Sequence, residues 1–109
     1  MRILFADPDR ELTEVYRRLY ALTGDEVIAV HDGIQAMEAL KKETFDAAVV
    51  RDELPRYDSG LVRKTLKNLH VPCIVLSETE DGTDGGEVLS FPFLPETLEK
   101  RLKEVTGNE

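Results

Sequence analysis

Short apolar runs and amphipathic stretches alternate along the chain. Runs of about four mostly apolar residues predict buried strands at residues 3–6, 27–30, 47–50, 73–76 and 88–91. Between most of these runs, apolar residues recur at the three- and four-residue spacing of a helix. Strands that alternate with helices form parallel sheets with helices on both faces. The pattern therefore predicts an α/β fold with a parallel sheet.

Four helices are predicted from the helical spacing. We expect the first to have Asp7 as its N-cap and Pro8 at its first helical position, and to end at Gly24. The last is expected to begin at Pro95. The apolar positions of the four helices are, in order, Leu12, Val15, Tyr16 and Leu19; Ile34, Met37 and Leu40; Leu61, Val62, Leu66 and Leu69; and Leu98, Leu102 and Val105.

The connection between the fourth and fifth strands has a different composition. Residues 78–86 contain no apolar side chain, so this segment cannot pack a helix face against the sheet. A parallel crossover usually takes about a dozen residues or more. We therefore predict a short, irregular, acidic loop in this place, which leaves five strands and four helices.

Size and charge narrow the class of protein. A chain of 109 residues is the size of one domain, and we expect residues 1–109 to form a single domain without a second catalytic or output domain. Its 22 acidic and 14 basic residues give a net charge of -8, which repels nucleic acid and anionic membrane surfaces. Cys73, the single cysteine, cannot form an internal disulfide, and the sequence shows no signal peptide or membrane span. We expect a cytoplasmic protein.

Candidate chemistry lies just beyond the predicted strands. In an open parallel sheet, ligands bind outside the carboxyl ends of the strands. The residues at these positions predict an acidic rim that contains one arginine. They are Asp7, Pro8 and Asp9; His31 and Asp32; Arg51, Asp52 and Glu53; Ser77 and Glu78; and Phe91 and Pro92.

Several motifs occur in the order and spacing of a known family. They are Ile3-Leu4-Phe5-Ala6-Asp7, Asp32-Gly33, Phe45-Asp46-Ala47-Ala48-Val49-Val50, Pro55, Pro72-Cys73-Ile74-Val75-Leu76-Ser77 and Phe91-Pro92-Phe93. With them the chain resembles the receiver domain of bacterial response regulators over nearly its whole length. The resemblance implies a doubly wound, flavodoxin-like fold with five parallel strands in the order 2-1-3-4-5. Against that pattern, the fourth helix is missing or reduced to a loop.

The resemblance also implies a reaction, but several of its residues are replaced. Receivers accept a phosphoryl group from a histidine kinase onto an aspartate, with help from a divalent metal, a hydroxyl and a lysine. Asp7 matches the first acid of the metal site, whereas Pro8 replaces the second and Asp9 is its alternative. Ser77 matches the hydroxyl. Phe91 stands where the family has its lysine.

The phosphoacceptor position depends on the register of the third strand. Alignment on that strand and on Pro55 places Arg51 there, whereas counting back from Gly60 places Asp52 there. We favour Arg51, which cannot form an acyl phosphate. Its cation would occupy the space of the absent metal and pair with Asp7 or Asp52.

The sequence is compatible with two functions. The first is a pseudo-receiver: a stand-alone, phosphorylation-independent protein-interaction module in two-component signalling, with no enzymatic activity, cofactor or metal. The alternative is a working phosphoacceptor at Asp52, with Mg²⁺ held by Asp7, Asp9 and Asp52. In either case we expect a signalling partner, a histidine kinase or a downstream regulator, docked on the last strand and last helix. We expect the chain itself to be a monomer or a weak homodimer.

Overall fold

Five strands and four helices make up the described part of the chain. The structure, a computed structural model, describes residues 1–78 and 87–107. All five predicted strands are present and end within one residue of the predicted positions. The elements are β1 (Arg2–Ala6), α1 (Arg10–Ala21), β2 (Glu26–Val30), α2 (Gly33–Lys42), β3 (Ala47–Arg51), α3 (Ser59–Asn68), β4 (Cys73–Ser77), β5 (Glu87–Ser90) and α4 (Pro95–Thr106).

The strands form one parallel sheet in the order β2-β1-β3-β4-β5, which confirms the predicted topology. Successive residues of a strand point to opposite faces, so the central strands contribute to two cores. Ile3 and Phe5 join the core under α1 and α4. Leu4 and Ala6 join the core under α2 and α3. The sheet is therefore covered by two helices on each face.

The start of α1 differs from the prediction, and Asp7 is not its N-cap. The helix begins at Arg10, and the side chain of Asp9 accepts two backbone N–H groups of its first turn. Asp7 instead continues the sheet, because its N–H donates to the Val30 carbonyl at 3.0 Å. Pro8 consequently lies before the helix and not at its first helical position. This change frees the Asp7 carboxylate for other contacts.

The buried face of α1 is also rotated from the predicted stripe. Val15 and Leu19 are 52% and 37% exposed, although both were assigned to the apolar face. Tyr16, which belongs to the predicted stripe, is buried, and its ring stacks on Phe5 with the ring centroids 5.4 Å apart. Tyr20, which the stripe leaves out, is buried beside it. The Tyr20 ring buries more apolar area than the Leu19 side chain would, which favours this rotation.

The predicted acidic loop lies almost entirely outside the described residues. Only Glu78 of the segment belongs to the described part of the chain, so the loop at residues 79–86 stays a prediction. Among the helices described in residues 1–78 and 87–107, none is long and apolar enough to span a membrane.

The loop after β3 packs tightly against the start of α2. The Gly33 N–H donates to the Pro55 carbonyl at 3.0 Å, and Arg56 Nη1 donates to Asp32 Oδ2 at 2.9 Å. A Cβ atom added to Gly33 would lie 2.8 Å from the Tyr57 carbonyl oxygen and closer still to the Tyr57 Cβ. Glycine is therefore required here by the close approach of the loop.

We predict that Gly33→Ala lowers the free energy of unfolding by about 1–3 kcal/mol, because the added methyl group overpacks this contact. In an unhindered helix the same change would stabilise the protein. Urea denaturation followed by circular dichroism measures the effect. Glu38→Ala, an exposed position on the same helix, is the control and should change stability by no more than about 0.5 kcal/mol. A Gly33→Ala protein as stable as this control would contradict the prediction.

Candidate functional site

Candidate residues from three strands meet at the carboxyl edge of the sheet. β1, β3 and β4 are adjacent and parallel, so the residues at their ends, including Asp7, Arg51 and Ser77, are brought to one place. An open cleft of about 400 Å³ lies at this edge, and its lining residues are Pro8, Arg51, Asp52, Glu53 and Glu78. Part of the predicted acidic rim therefore lines a cleft that contains an arginine.

Arg51 is surrounded by carboxylates and one aromatic ring. Its Nη1 lies 3.4 Å from Asp7 Oδ2, and its Nη2 lies 2.8 Å from Glu78 Oε1. Its Nε lies 3.8 Å from Asp52 Oδ1. The guanidinium carbon is 4.6 Å from the centroid of the Phe91 ring, a cation–π distance. Only 20% of the Arg51 side chain is exposed, so these contacts hold its charge inside the cleft.

Asp7 is a fully buried carboxylate. Burial raises its pKa above the ordinary aspartate value, because a low-dielectric environment disfavours the charged form. Two contacts oppose this effect: the Asp9 N–H donates to Asp7 Oδ1 at 2.8 Å, and the Arg51 guanidinium faces Oδ2. The ionised form of Asp7 therefore depends on Arg51 for charge compensation.

Asp52 is held differently from Arg51. Its N–H donates to the Leu76 carbonyl at 2.8 Å, and its own carbonyl accepts a hydrogen bond from the Ser59 hydroxyl. Ser77 Oγ donates to Asp52 Oδ2 at 3.0 Å. The Asp52 carboxylate is thus fixed beside the end of β4, and the buried Ser77 hydroxyl is directed at Asp52.

The remaining predicted rim residues make separate contacts. Asp9 Oδ1 caps α1, and Asp32 caps α2 while it pairs with Arg56. His31 Nε2 lies 3.1 Å from the hydroxyl of Thr13, and burial lowers the pKa of the imidazole. Among residues 1–78 and 87–107, no three His, Cys, Asp or Glu side chains are grouped to hold a metal ion.

The role of Glu78 in the site is not predictable from the sequence. Its place after Ser77 predicts a position on the rim, but its contact with Arg51 depends on the direction of a long side chain. The sequence predicts that Phe91 stands at the family's lysine position, whereas the contact of its ring with the Arg51 guanidinium is visible only in the structure.

Comparison with known proteins shows the family to which the chain belongs. No protein-family model matches the chain. The response regulator MprA of Mycobacterium avium (strain 104) is 34% identical over an alignment 113 positions long. The alignment covers 94% of this chain and 50% of MprA. The chemotaxis response regulator CheY4 of Vibrio cholerae has a TM-score of 0.85 at 22% identity, over 95% of this chain and 97% of that chain. The chain is a response regulator receiver domain.

The receiver domain spans about half the length of the curated relatives it matches. A further structure with the same fold is the receiver domain of the sensor histidine kinase PA1611 of Pseudomonas aeruginosa PAO1. Its TM-score is 0.81 at 23% identity, over 97% of each chain. A magnesium ion is coordinated in the active-site cleft of PA1611. In this receiver domain, Arg51 lies among carboxylates at the carboxyl edge of the sheet.

We predict that Arg51→Met destabilises the receiver domain by about 3 kcal/mol, because it leaves the Asp7 carboxylate buried without a cation. The double variant with Asp7→Asn should recover most of this loss. Chemical denaturation at neutral pH measures both. The control is Arg17→Met, which breaks an exposed pair with Glu14 and should have a much smaller effect. Equal losses in Arg51→Met and Arg17→Met would refute a role for Arg51 in charge compensation.

The raised pKa of Asp7 also predicts a pH dependence. Between the ordinary aspartate pKa and the raised value, the folded state binds more protons at Asp7 than the unfolded state does. The stability of the parent protein relative to Asp7→Asn should therefore fall as pH rises through this window. Denaturation of both proteins at a series of pH values from acid to neutral tests this. If the stability of the parent protein relative to Asp7→Asn rises with pH instead, the Arg51 charge lowers the pKa of Asp7 by more than burial raises it.

Proposed function

We propose that this receiver domain has lost phosphotransfer and acts as a phosphorylation-independent protein-interaction module in two-component signal transduction. One observation carries the proposal. The Arg51 guanidinium, which follows Val50 at the end of β3, lies 3.4 Å from the buried carboxylate of Asp7. In the register that we favour, the resemblance to the family puts Arg51 at the phosphoacceptor position. A guanidinium cannot form an acyl phosphate.

The surroundings of Asp52 support a structural role for that residue. Its N–H, carbonyl and carboxylate are all hydrogen-bonded, to Leu76, Ser59 and Ser77 respectively. Moving Asp52 into the place of Arg51 would require β3 to slip by one residue. Such a slip would reverse the two faces of a strand whose residues 47–50 are fully buried. The packed core therefore opposes an acceptor at Asp52.

The donor set at the cleft does not fit a magnesium ion. Mg²⁺ requires oxygen ligands in near-octahedral geometry. Pro8 offers no side-chain oxygen, Asp9 caps α1, and Asp7 faces a guanidinium that would repel a divalent cation. These contacts support a site that works without a metal ion.

Phe91 stands where the family has its lysine, and Arg51 is the one basic residue among the described residues that line the cleft. A phosphoryl group in transfer needs positive charge near its oxygens. The Phe91 ring packs on Arg51, and Arg51 already faces Asp7, Asp52 and Glu78. An incoming phosphoryl group would therefore meet a cation surrounded by acids, and we propose that the domain is not an enzyme.

The partner in this proposal is a cytoplasmic signalling protein, a histidine kinase or a downstream regulator. We place its docking site at β5 and α4, where receivers generally bind partners. A groove of about 520 Å³ lies there, and its lining includes Leu89, Phe93 and Leu94. Leu94 is 66% exposed, so the groove offers apolar surface to a partner. We propose a monomer or weak homodimer.

One observation supports a second candidate function, phosphorylation at Asp52. Asp52 lines the cleft and is hydrogen-bonded to Ser77, so a phosphoacceptor at Asp52, with Mg²⁺ held by Asp7, Asp9 and Asp52, is the alternative. Incubation of the intact chain with acetyl phosphate and millimolar Mg²⁺, followed by mass spectrometry, separates the two. We expect no gain of a phosphoryl group. A modification that disappears in Asp52→Asn and persists in the neighbouring Glu53→Gln control would establish the alternative.

The variant Arg51→Asp tests whether one substitution accounts for the lost chemistry. We expect no phosphorylation and no uptake of a beryllofluoride analogue, because Pro8 and Phe91 remain in place. Uptake of the analogue by this single variant would contradict the account.

A further inference from the structure

Helices α2 and α3 form a basic surface on an acidic protein. Both cover the same face of the sheet, and their buried residues belong to one core. Together they carry five basic residues and one acidic residue, Glu38. The whole chain, in contrast, has a net charge of -8. Within their bounds, α2 and α3 therefore carry a net positive charge, opposite in sign to that of the chain.

Four lysines of this surface are exposed: Lys41, Lys42, Lys64 and Lys67. Within the part of the chain that the structure describes, none of them forms an ion pair with a carboxylate. On the opposite helices, three basic residues have carboxylate partners: Arg17 and Arg18 pair with Glu14, and Lys103 pairs with Glu99. The lysines of α2 and α3 therefore remain available to an external anion.

Two exposed apolar side chains lie near the starts of the same two helices. Tyr57 is 38% exposed and packs against Gly33 at the start of α2, and Leu61, in the first turn of α3, is 47% exposed. Val62 and Leu66 face the sheet, so Leu61 and Lys64, three residues apart, share the outer side of α3. We call Tyr57, Leu61 and the four lysines the α2–α3 face. It combines an aromatic and an aliphatic contact with positive charge.

We propose that the α2–α3 face docks an acidic amphipathic segment of a partner protein. Carboxylates of such a segment would meet the lysines, while its apolar side chains would cover Tyr57 and Leu61. A short segment experiences the local positive field. A long polyanion, or a second copy of the chain, would also meet the overall charge of -8. The face is separate from the Arg51 cleft and from the groove at β5 and α4, so the proposal goes beyond the proposed function.

The probe is a fluorescein-labelled synthetic helical peptide with Glu and Leu at amphipathic spacing, titrated with the intact chain and followed by anisotropy. We expect Lys64→Gln/Lys67→Gln to weaken binding about tenfold, because two charge contacts are lost. Leu61→Ser, at an exposed position, should also weaken it. The matched pair Lys100→Gln/Lys103→Gln on α4 should leave the affinity within about twofold, since only bulk charge changes. Circular dichroism checks that each variant is folded.

Four outcomes would overturn the proposal. The first is no binding of the peptide, and the second is equal weakening by the α3 pair and the α4 pair. The third is tighter, Lys64- and Lys67-dependent binding of phosphatidylserine vesicles or duplex DNA, which would assign the face to another class of ligand. The fourth is self-association in analytical ultracentrifugation that the α3 pair abolishes, which would assign it to a second copy.

Discussion

The contact between Asp7 and Arg51 organises the carboxyl edge of the sheet. Folding removes the Asp7 carboxylate from water completely, and an isolated charge in that place would be strongly unfavourable. The guanidinium compensates that charge, and it is itself held by Phe91 and Glu78. One ion pair therefore connects the ends of β1 and β3 with the chain segments that follow β4 and β5. The geometry of the cleft depends on it.

Arg51 places a positive charge that belongs to the protein itself among the carboxylates at the carboxyl edge of the sheet. In the PA1611 receiver domain, a magnesium ion is coordinated in the active-site cleft. A bound ion responds to its concentration in solution, whereas a covalently attached guanidinium is present at all times. The positive charge that Arg51 brings to the cleft therefore does not depend on an ion from solution.

The sequence predicted the sheet well because strands buried on both faces are continuous apolar runs, as at residues 47–50. It misplaced the start of α1, because Asp7-Pro8 satisfies the local pattern of an N-cap as well as Asp9 does. The choice between them is made by tertiary contacts, including one with Arg51, which is 44 residues away. The contact of Glu78 with Arg51 could not be predicted either, because residue spacing does not determine the orientation of an exposed side chain. Local patterns predicted the elements, and long-range charge pairing determined the site.

The burial of Asp7 has a consequence for the evolutionary history of the domain. Substitutions arise one at a time, and an intermediate that unfolds is removed by selection. Replacing Arg51 by an acid would put a second negative charge next to a carboxylate that has no access to water. Pro8 would still withhold a metal ligand, and Phe91 would still withhold the positive charge of a lysine, so neither would neutralise the two acids. Under the proposed function, a return to an acid at residue 51 as the first step would therefore pass through a less stable protein.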